Sequence, residues 1–274
     1  NGAVAVTYSD NTGIKTWDAN TGSSLGEADL EVHAQTTEAR QGGLSFAEFS
    51  PDGRHVVLVF GGRGYLEIWG VLDGPVRVAA VRVDGGQADV AFSPDGSRLA
   101  VGEYRNVAWI WDIAAAQRVG PTFHHDRAVD TLAFNSDGTL LATGSRDQRV
   151  RVWNVEDGQE VVPAMRHSAN LLSVLFALDD AALATTTRTG EVRLWDLGTG
   201  EQLGEPRRHG TTFLDMVYAP NGHRLVTAGR PDMRLWHTAT RRLYPLPLRH
   251  PDSLPTALPT FTEDGRRVVA LFRD

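Results

Sequence analysis

Apolar residues along this chain fall in short runs that alternate with polar positions or are rich in β-branched types. No stretch keeps the period of an amphipathic helix. Thr131-Leu132-Ala133-Phe134 and Val150-Arg151-Val152-Trp153 are typical, and each predicts a short, half-buried strand. Turn signals of one type separate many of these runs: Ser50-Pro51-Asp52-Gly53, Ser93-Pro94-Asp95-Gly96, Asn135-Ser136-Asp137-Gly138, Ala219-Pro220-Asn221-Gly222 and Thr262-Glu263-Asp264-Gly265. Pro presets φ, Asp or Asn bonds back to the backbone, and Gly takes the left-handed position. That is hairpin chemistry, so an all-β chain of antiparallel strands is predicted.

The strands repeat. Tryptophans stand at 17, 69, 111, 153, 195 and 236, at intervals of 52, 42, 42, 42 and 41. Residues 125 to 163 carry one unit clearly. His125 precedes a strand near 129–134, the Asp137-Gly138 turn leads to a second at 139–145, and Arg146-Asp147-Gln148 turns into a third at 149–153. Glu156-Asp157-Gly158 then opens a fourth near 159–163. Four short strands in each repeat fit propeller blades of about 40–45 residues. A single such sheet cannot bury both faces and must stack on its neighbours.

Trp17-Asp18, Trp111-Asp112 and Trp195-Asp196, varied to Trp69-Gly70, Trp153-Asn154 and Trp236-His237, resemble the dipeptide that names the WD repeats. The resemblance runs through nearly the whole chain and implies a WD-repeat β-propeller with four antiparallel strands per blade. Segments such as Val119-Gly120-Pro121-Thr122-Phe123-His124-His125 and Leu203-Gly204-Glu205-Pro206-Arg207-Arg208-His209 are similar to bacterial WD arrays fused to NTPase, kinase or protease signalling modules. Asn1-Gly2 stands 16 residues before Trp17, as Asp137-Gly138 does before Trp153, so the first blade is expected to lack its first strand. Residues 264–274 align with 137–147 and end after a second strand. Seven blades are therefore expected, with six as the alternative, in one domain over residues 1–274 of a longer chain.

Composition narrows the function classes. The chain has 274 residues, 41% of them hydrophobic, and a net charge of −7. A core is affordable, and an acidic balance argues against binding a phosphate backbone. There is no cysteine, hence no disulfide or thiolate metal site. No apolar run reaches the length of a membrane-spanning helix. A cytoplasmic location is expected, with neither nucleic acid nor membrane as partner.

His125, Ser145, Asp147 and Trp153 invite a hydrolase reading, but no nucleophile elbow or oxyanion loop accompanies them. In WD repeats these positions resemble a structural tetrad of buried hydrogen bonds. Only this repeat carries the full set; Thr187 and Thr189, or Glu103 and Arg105, stand at the equivalent places elsewhere. His125, His167 and His209 recur at the repeat interval, too dispersed to share an ion, and His124 faces away from His125. No catalytic residue, metal or cofactor is expected. Trp109 lies outside the tryptophan register, where other repeats hold Lys15, Glu67, Arg151, Arg193 and Arg234, and is expected to pack between blades.

The residue before the tetrad Asp position lies, in the family, on one narrow face. Tyr104, Arg146, Arg188 and Arg230 stand there, an arc suited to an acidic or phosphorylated protein or peptide. About ten extra residues around Asp29 to Gly43 lie in a loop expected on the same side. The leading expectation is a non-catalytic interaction scaffold or sensor domain of a larger bacterial signalling or defence protein. A purely structural or oligomer-forming propeller is the alternative, and a propeller hydrolase or lyase is the third.

Overall fold

The computed structural model describes residues 4–9, 13–28, 43–61, 64–83, 86–209, 212–220, 222–230, 232–237, 242–243, 248, 254–255, 259–262, 264–270 and 272–273. The chain divides into two compact units, residues 1–129 and 130–274.

Hairpins joined by tight turns build both units. The first opens with a three-stranded sheet of β1 (Val4–Ser9), β2 (Gly13–Asp18) and β3 (Ser24–Ala28). A four-stranded sheet follows: β4 (Leu44–Phe49), β5 (His55–Phe60), β6 (Tyr65–Gly70) and β7 (Val76–Arg82). The next holds β8 (Gln87–Phe92), β9 (Arg98–Glu103), β10 (Val107–Asp112) and β11 (Gln117–His124). β12 (Val129–Phe134), β13 (Leu140–Ser145), β14 (Arg149–Asn154) and β15 (Met165–Arg166) form a third four-stranded sheet. β16 (Leu171–Phe176), β17 (Ala182–Thr187), β18 (Glu191–Asp196) and β19 (Arg207–Arg208) form the fourth. The fifth has β20 (Thr212–Tyr218), β21 (Arg224–Arg230), β22 (Met233–His237) and β23 (Arg242–Leu243). Two short ladders pair β24 (Leu254–Pro255) with β27 (Phe272–Arg273), and β25 (Thr260–Phe261) with β26 (Val268–Val269).

Each four-stranded sheet is a meander in chain order, the blade architecture of a WD-repeat propeller. Trp69, Trp111, Trp153, Trp195 and Trp236 lie on third strands, and Trp17 lies on the middle strand of the three-stranded sheet, as the repeat predicts.

Second strands are buried along nearly their whole length, so they form the interior of each sheet. Val57, Val59, Leu66, Ile68, Leu99, Val101 and Trp109 make one core cluster in the first unit. Ala142, Val150, Val152, Leu171, Phe176, Leu183 and Trp195 make another in the second. This second cluster takes residues from two successive sheets, so inter-sheet packing completes what one sheet cannot bury.

A turn without glycine also ties neighbouring sheets. Residues 177–180 occupy the place where other repeats have glycines at positive φ, yet Asp180 adopts φ 52°. A non-glycine residue in this region is strained. Its carboxylate accepts the Ser136 N–H and hydroxyl at 3.1 and 2.6 Å and the Asn135 amide at 3.1 Å, which offsets that strain.

The tryptophans share a diagonal contact. Leu183 pairs directly with Trp195 and Thr185 with Arg193, but the Trp195 indole reaches across to Thr185 Oγ1 at 2.9 Å. Trp17 donates to Thr7 at 2.9 Å, Trp153 to Thr143 at 2.7 Å and Trp236 to Thr227 at 2.8 Å. Histidines preceding the first strand meet two of these hydroxyls: His167 Nε2 lies 2.8 Å from Thr185, and His209 Nε2 lies 2.7 Å from Thr227. In the sheet of Trp111 the diagonal residue is Val101, and Val83 stands where the histidine would be. Both valines belong to the apolar core, and the Trp111 indole nitrogen lacks a partner. The threonine and histidine positions are thus apolar together, which leaves no hydroxyl or imidazole stranded, although the indole loses its acceptor.

Thr185→Val is accordingly expected to cost about 1–3 kcal/mol, because it strands both His167 and Trp195. Val101→Thr is expected to stay within about 1 kcal/mol of the wild type, since any gain at Trp111 is offset by burying a hydroxyl without a histidine. Urea denaturation of the two variants checks this, and equal losses would contradict it.

Candidate partner-binding site

The turns between second and third strands hold the exposed positions singled out in the sequence. Asn106, Gln148 and Gly190 take positive φ at 42-residue spacing, and Gln148 and Gly190 donate back to Ser145 and Thr187 at 3.1 and 2.9 Å. Tyr104, Arg146 and Arg188 stand two residues before them, just past the end of a second strand, and their side chains face out of the sheet edge. Tyr104 is 47% exposed.

Arg146 and Arg188 belong to adjacent sheets and converge on one carboxylate. Arg146 Nε lies 3.0 Å from both oxygens of Asp130, and Arg188 Nη2 lies 3.4 Å from Oδ2. The Asp130 side chain is 3% exposed, whereas those of Arg146 and Arg188 are 41% and 53% exposed. An inner carboxylate thus anchors two outward guanidinium groups. Tyr104 lies in the first unit, and Arg146 and Arg188 in the second.

Arg230 departs from the pattern. Its hairpin is one residue shorter: Leu225 pairs with Trp236, where Leu183 pairs with Trp195. Gly229 N–H bonds to the Asp232 carbonyl at 3.0 Å in this turn. That deletion produces the 41-residue interval, so Arg230 ends β21 in a turn unlike those of Arg146 and Arg188. The Arg230 side chain and the loop of residues 29–42 lie outside the described residues.

The tetrad differs from the expectation in two respects. The hydroxyl that faces the Trp153 indole is Thr143, two residues before Ser145; Ser145 Oγ accepts the Asp147 N–H at 3.0 Å. Asp147 accepts the Arg149 N–H at 2.9 Å and the Arg151 guanidinium at 2.8 Å, and His125 is buried. The network is also not confined to this sheet, since His167–Thr185–Trp195 and His209–Thr227–Trp236 repeat it. Residues two apart share a strand face, so alternation alone does not choose between positions 143 and 145.

A carboxylate accompanies the basic residue two before tryptophan in each of these three sheets, but its position moves. Asp147 serves Arg151, Glu191 serves Arg193 at 2.6 Å, and Asp232 lies 3.4 Å from both Arg234 and His209. Glu191 also receives Arg208 and Ser168, at 3.2 and 3.1 Å. In the first unit Lys15 pairs with Glu27 at 3.0 Å, and the charges reverse at Glu67 and Arg77. Trp109 takes the place of the charged residue: it is 2% exposed, packs edge-on to Trp111 and donates to Glu103, which also pairs with Arg118 at 3.2 Å, and the Arg118 guanidinium lies 3.8 Å above its ring. Among the described residues no group of three or more His, Asp or Glu side chains could hold a metal ion. No helix among them is long and apolar enough to cross a membrane.

Residues 118–154, which hold most of β11, all of β12 to β14 and the Arg146 turn, match the family model described as WD domain, G-beta repeat. The match is confined to this segment of the chain. The chain is also similar to the ciliary WD repeat-containing protein ctxp80 of Euplotoides octocarinatus, 30% identical over 141 residues. That alignment covers 46% of this chain and 19% of the relative, so the chain matches about a fifth of that protein's length. WD repeats generally serve as non-catalytic scaffolds for protein partners, and the buried bonds of Trp69, Trp153, Trp195 and Trp236 suit that role.

Burial sets the pH response of these sheets. Desolvation, reinforced by Arg193, holds His167 down to about 4, and desolvation with Arg234 does the same for His209. Their ordinary value is 6.5, so the unfolded chain binds protons that the folded one excludes, and stability should fall as pH drops from 6.5 towards 4. Glu48 runs the other way: burial pushes its carboxyl from 4.5 to about 7, despite the Phe92 backbone N–H. Its contribution is present at low pH and lost as pH rises from 4.5 through 7. Glu48→Gln should therefore melt higher than the wild type at pH 8 and level with it at pH 4. Asp147→Ala should cost about 1–3 kcal/mol and more than Thr189→Ala, because it removes a buried carboxylate that accepts both the Arg149 N–H and the Arg151 guanidinium. Thermal melts across pH 4–8 check all three.

Proposed function

We propose that this chain is the interaction domain of a larger signalling or defence protein, and that its partner presents an acidic segment to the turns carrying Arg146 and Arg188. The convergence of these two arginines on Asp130 carries the reading. Guanidinium groups on turns of adjacent sheets offer a wide, directional set of donors for carboxylate or phosphate. The rest of the molecule, with its net charge of −7, repels the same partner elsewhere and steers it to this place. Arg230, at the equivalent position of the next repeat in the sequence, is a further candidate of the same charge. The bacterial and fused setting is supported by the segments 119–125 and 203–209, and the cytoplasmic location goes with it.

A second reading, a structural or self-associating domain, is favoured by one patch in the first unit. Leu72 and Val76 are exposed there, beside a contact in which Pro75 approaches Gly26 next to exposed Leu25. Sedimentation at rising concentration separates the two: self-association that Val76→Asp abolishes would favour the second reading.

The triple variant Arg146→Glu, Arg188→Glu and Arg230→Glu is expected to stay folded and to lose the partner that the native protein retains from its own lysate. The loss should be greater at low than at moderate salt, as screening predicts. Unchanged retention with unchanged salt dependence would move the site away from these turns.

A further inference from the structure

We propose that Asp73-Gly74, in the turn between β6 and β7, is a site of spontaneous covalent modification, where the chain isomerises to an isoaspartyl link. The inference stands apart from the arginine turns and concerns the first unit.

An aspartyl residue isomerises when the backbone nitrogen of the next residue attacks its neutral side-chain carboxyl. A new N–Cγ bond closes an imide ring, and one carboxyl oxygen leaves as water with the amide proton and the carboxyl proton. Water then adds back to the imide. Addition at the main-chain carbonyl carbon breaks its bond to nitrogen, so the chain runs on through Cγ and the α-carboxylate is left free. Water is lost and regained, and no other reactant is needed. Glycine as the next residue favours the attack, because no Cβ shields its nitrogen.

Seven Asp-Gly pairs stand in the sequence, six of them among the described residues. Five of the six are guarded. The carboxylates of Asp52, Asp95, Asp137, Asp157 and Asp264 each accept the N–H two residues on, at 2.8–3.0 Å. Their glycines take φ of 65–75° and donate N–H back to a carbonyl three or four residues earlier. Both reacting groups are therefore held in turn bonds. Hydroxyls of Ser93, Thr139 and Thr262, followed by the turn N–H groups, also hold Asp95, Asp137 and Asp264 below the usual carboxylate range, in the anionic form that does not react.

Asp73 cannot be guarded in this way. The residue two on is Pro75, which has no N–H to give. Proline also turns the residue before it away from α-type backbone, and Gly74 takes φ 107° instead of the value its counterparts share. Asp73 is exposed, and its carboxylate meets no hydrogen-bonding or ionic partner among the described residues. Little crowds Gly74, since a Cβ built there would meet the Leu25 carbonyl oxygen at 3.5 Å and nothing closer. The product alters its surroundings. Gly74 and Pro75 lie so near Gly26 that a Cβ on Gly26 would stand 3.2 and 3.1 Å from them. An added main-chain carbon displaces this turn from Gly26 and so reshapes the surface of exposed Leu25, Leu72 and Val76.

The test incubates the whole chain in mildly acidic buffer made with oxygen-18 water, where each ring opening leaves a heavy oxygen in the chain. Trypsin then releases residues 64–77, cut after Arg63 and Arg77. Mass spectrometry reads the heavy oxygen, and electron-transfer fragmentation reads the isoaspartyl link. In the folded chain Asp73 should acquire both at least about tenfold faster than the five guarded aspartates, where turn hydrogen bonds must first break. In urea all six should react at similar rates, because the fold imposes the difference. Asp73→Glu, which keeps the charge but demands a larger ring, should leave residues 64–77 unmodified and the other five sites unchanged. Pro75→Ala, which restores an N–H two residues on, should slow Asp73 towards the guarded sites. Labelling of Asp73 no faster than Asp52 or Asp137 in the folded chain would overturn the proposal. So would a lead that persists undiminished in urea, or a Pro75→Ala variant that reacts as fast as the wild type.

Discussion

Four of the repeat tryptophans give the indole N–H to a threonine hydroxyl on the neighbouring strand, and that one bond organises their sheets. The ring is too large to stand only over its directly paired residue, so it reaches diagonally to a threonine on the neighbouring strand. Thr185 and Thr227 in turn meet His167 and His209, which arrive just before the first strand of the same sheet. Three separate pieces of chain are thereby locked to each other: the entering loop, the second strand and the third. Where the threonine is absent the structure changes as a set. Trp69 turns to the buried Glu67 carboxylate at 3.0 Å, and the sheet of Trp111 becomes apolar at Val83 and Val101.

Fixing these strands also fixes what lies at their ends. The turn after each second strand is set by the register below it, so a side chain just past the strand leaves the sheet in a repeatable direction. That is why Arg146 and Arg188, 42 residues apart, come to share Asp130. One deleted residue in the hairpin of Arg230 alters the turn that carries it. The exposed Arg146 and Arg188 thus owe their geometry to the buried bonds below them. A stable, hydrogen-bonded interior that presents side chains on turns is what a scaffold requires.

Much of this was legible in the sequence. The tryptophan spacing and the Asp-Gly turns gave the strands, their order and the third-strand position of every repeat tryptophan. The turn at 177–180 escaped that reading because Asp180 stands where glycine is usual, and its carboxylate contact with Ser136 comes from a residue 44 positions away. Thr143 escaped because Ser145 lies on the same strand face, and only the diagonal reach of the indole separates them. The signal was nevertheless present: Thr7, Thr143 and Thr185 each stand ten residues before a tryptophan, and Thr227 stands nine before Trp236. Asp130 could not have been found from its own repeat, because one of its two arginines belongs to the next.

The central claim is that threonine and histidine act as a pair around the tryptophan and are exchangeable for apolar residues only together. A double-mutant cycle on His167→Val and Thr185→Val measures this most directly. The account predicts a coupling of about 1–2 kcal/mol, with the double variant more stable than the sum of the single losses implies. Strictly additive losses would show that the two side chains stabilise the sheet independently, and would contradict it.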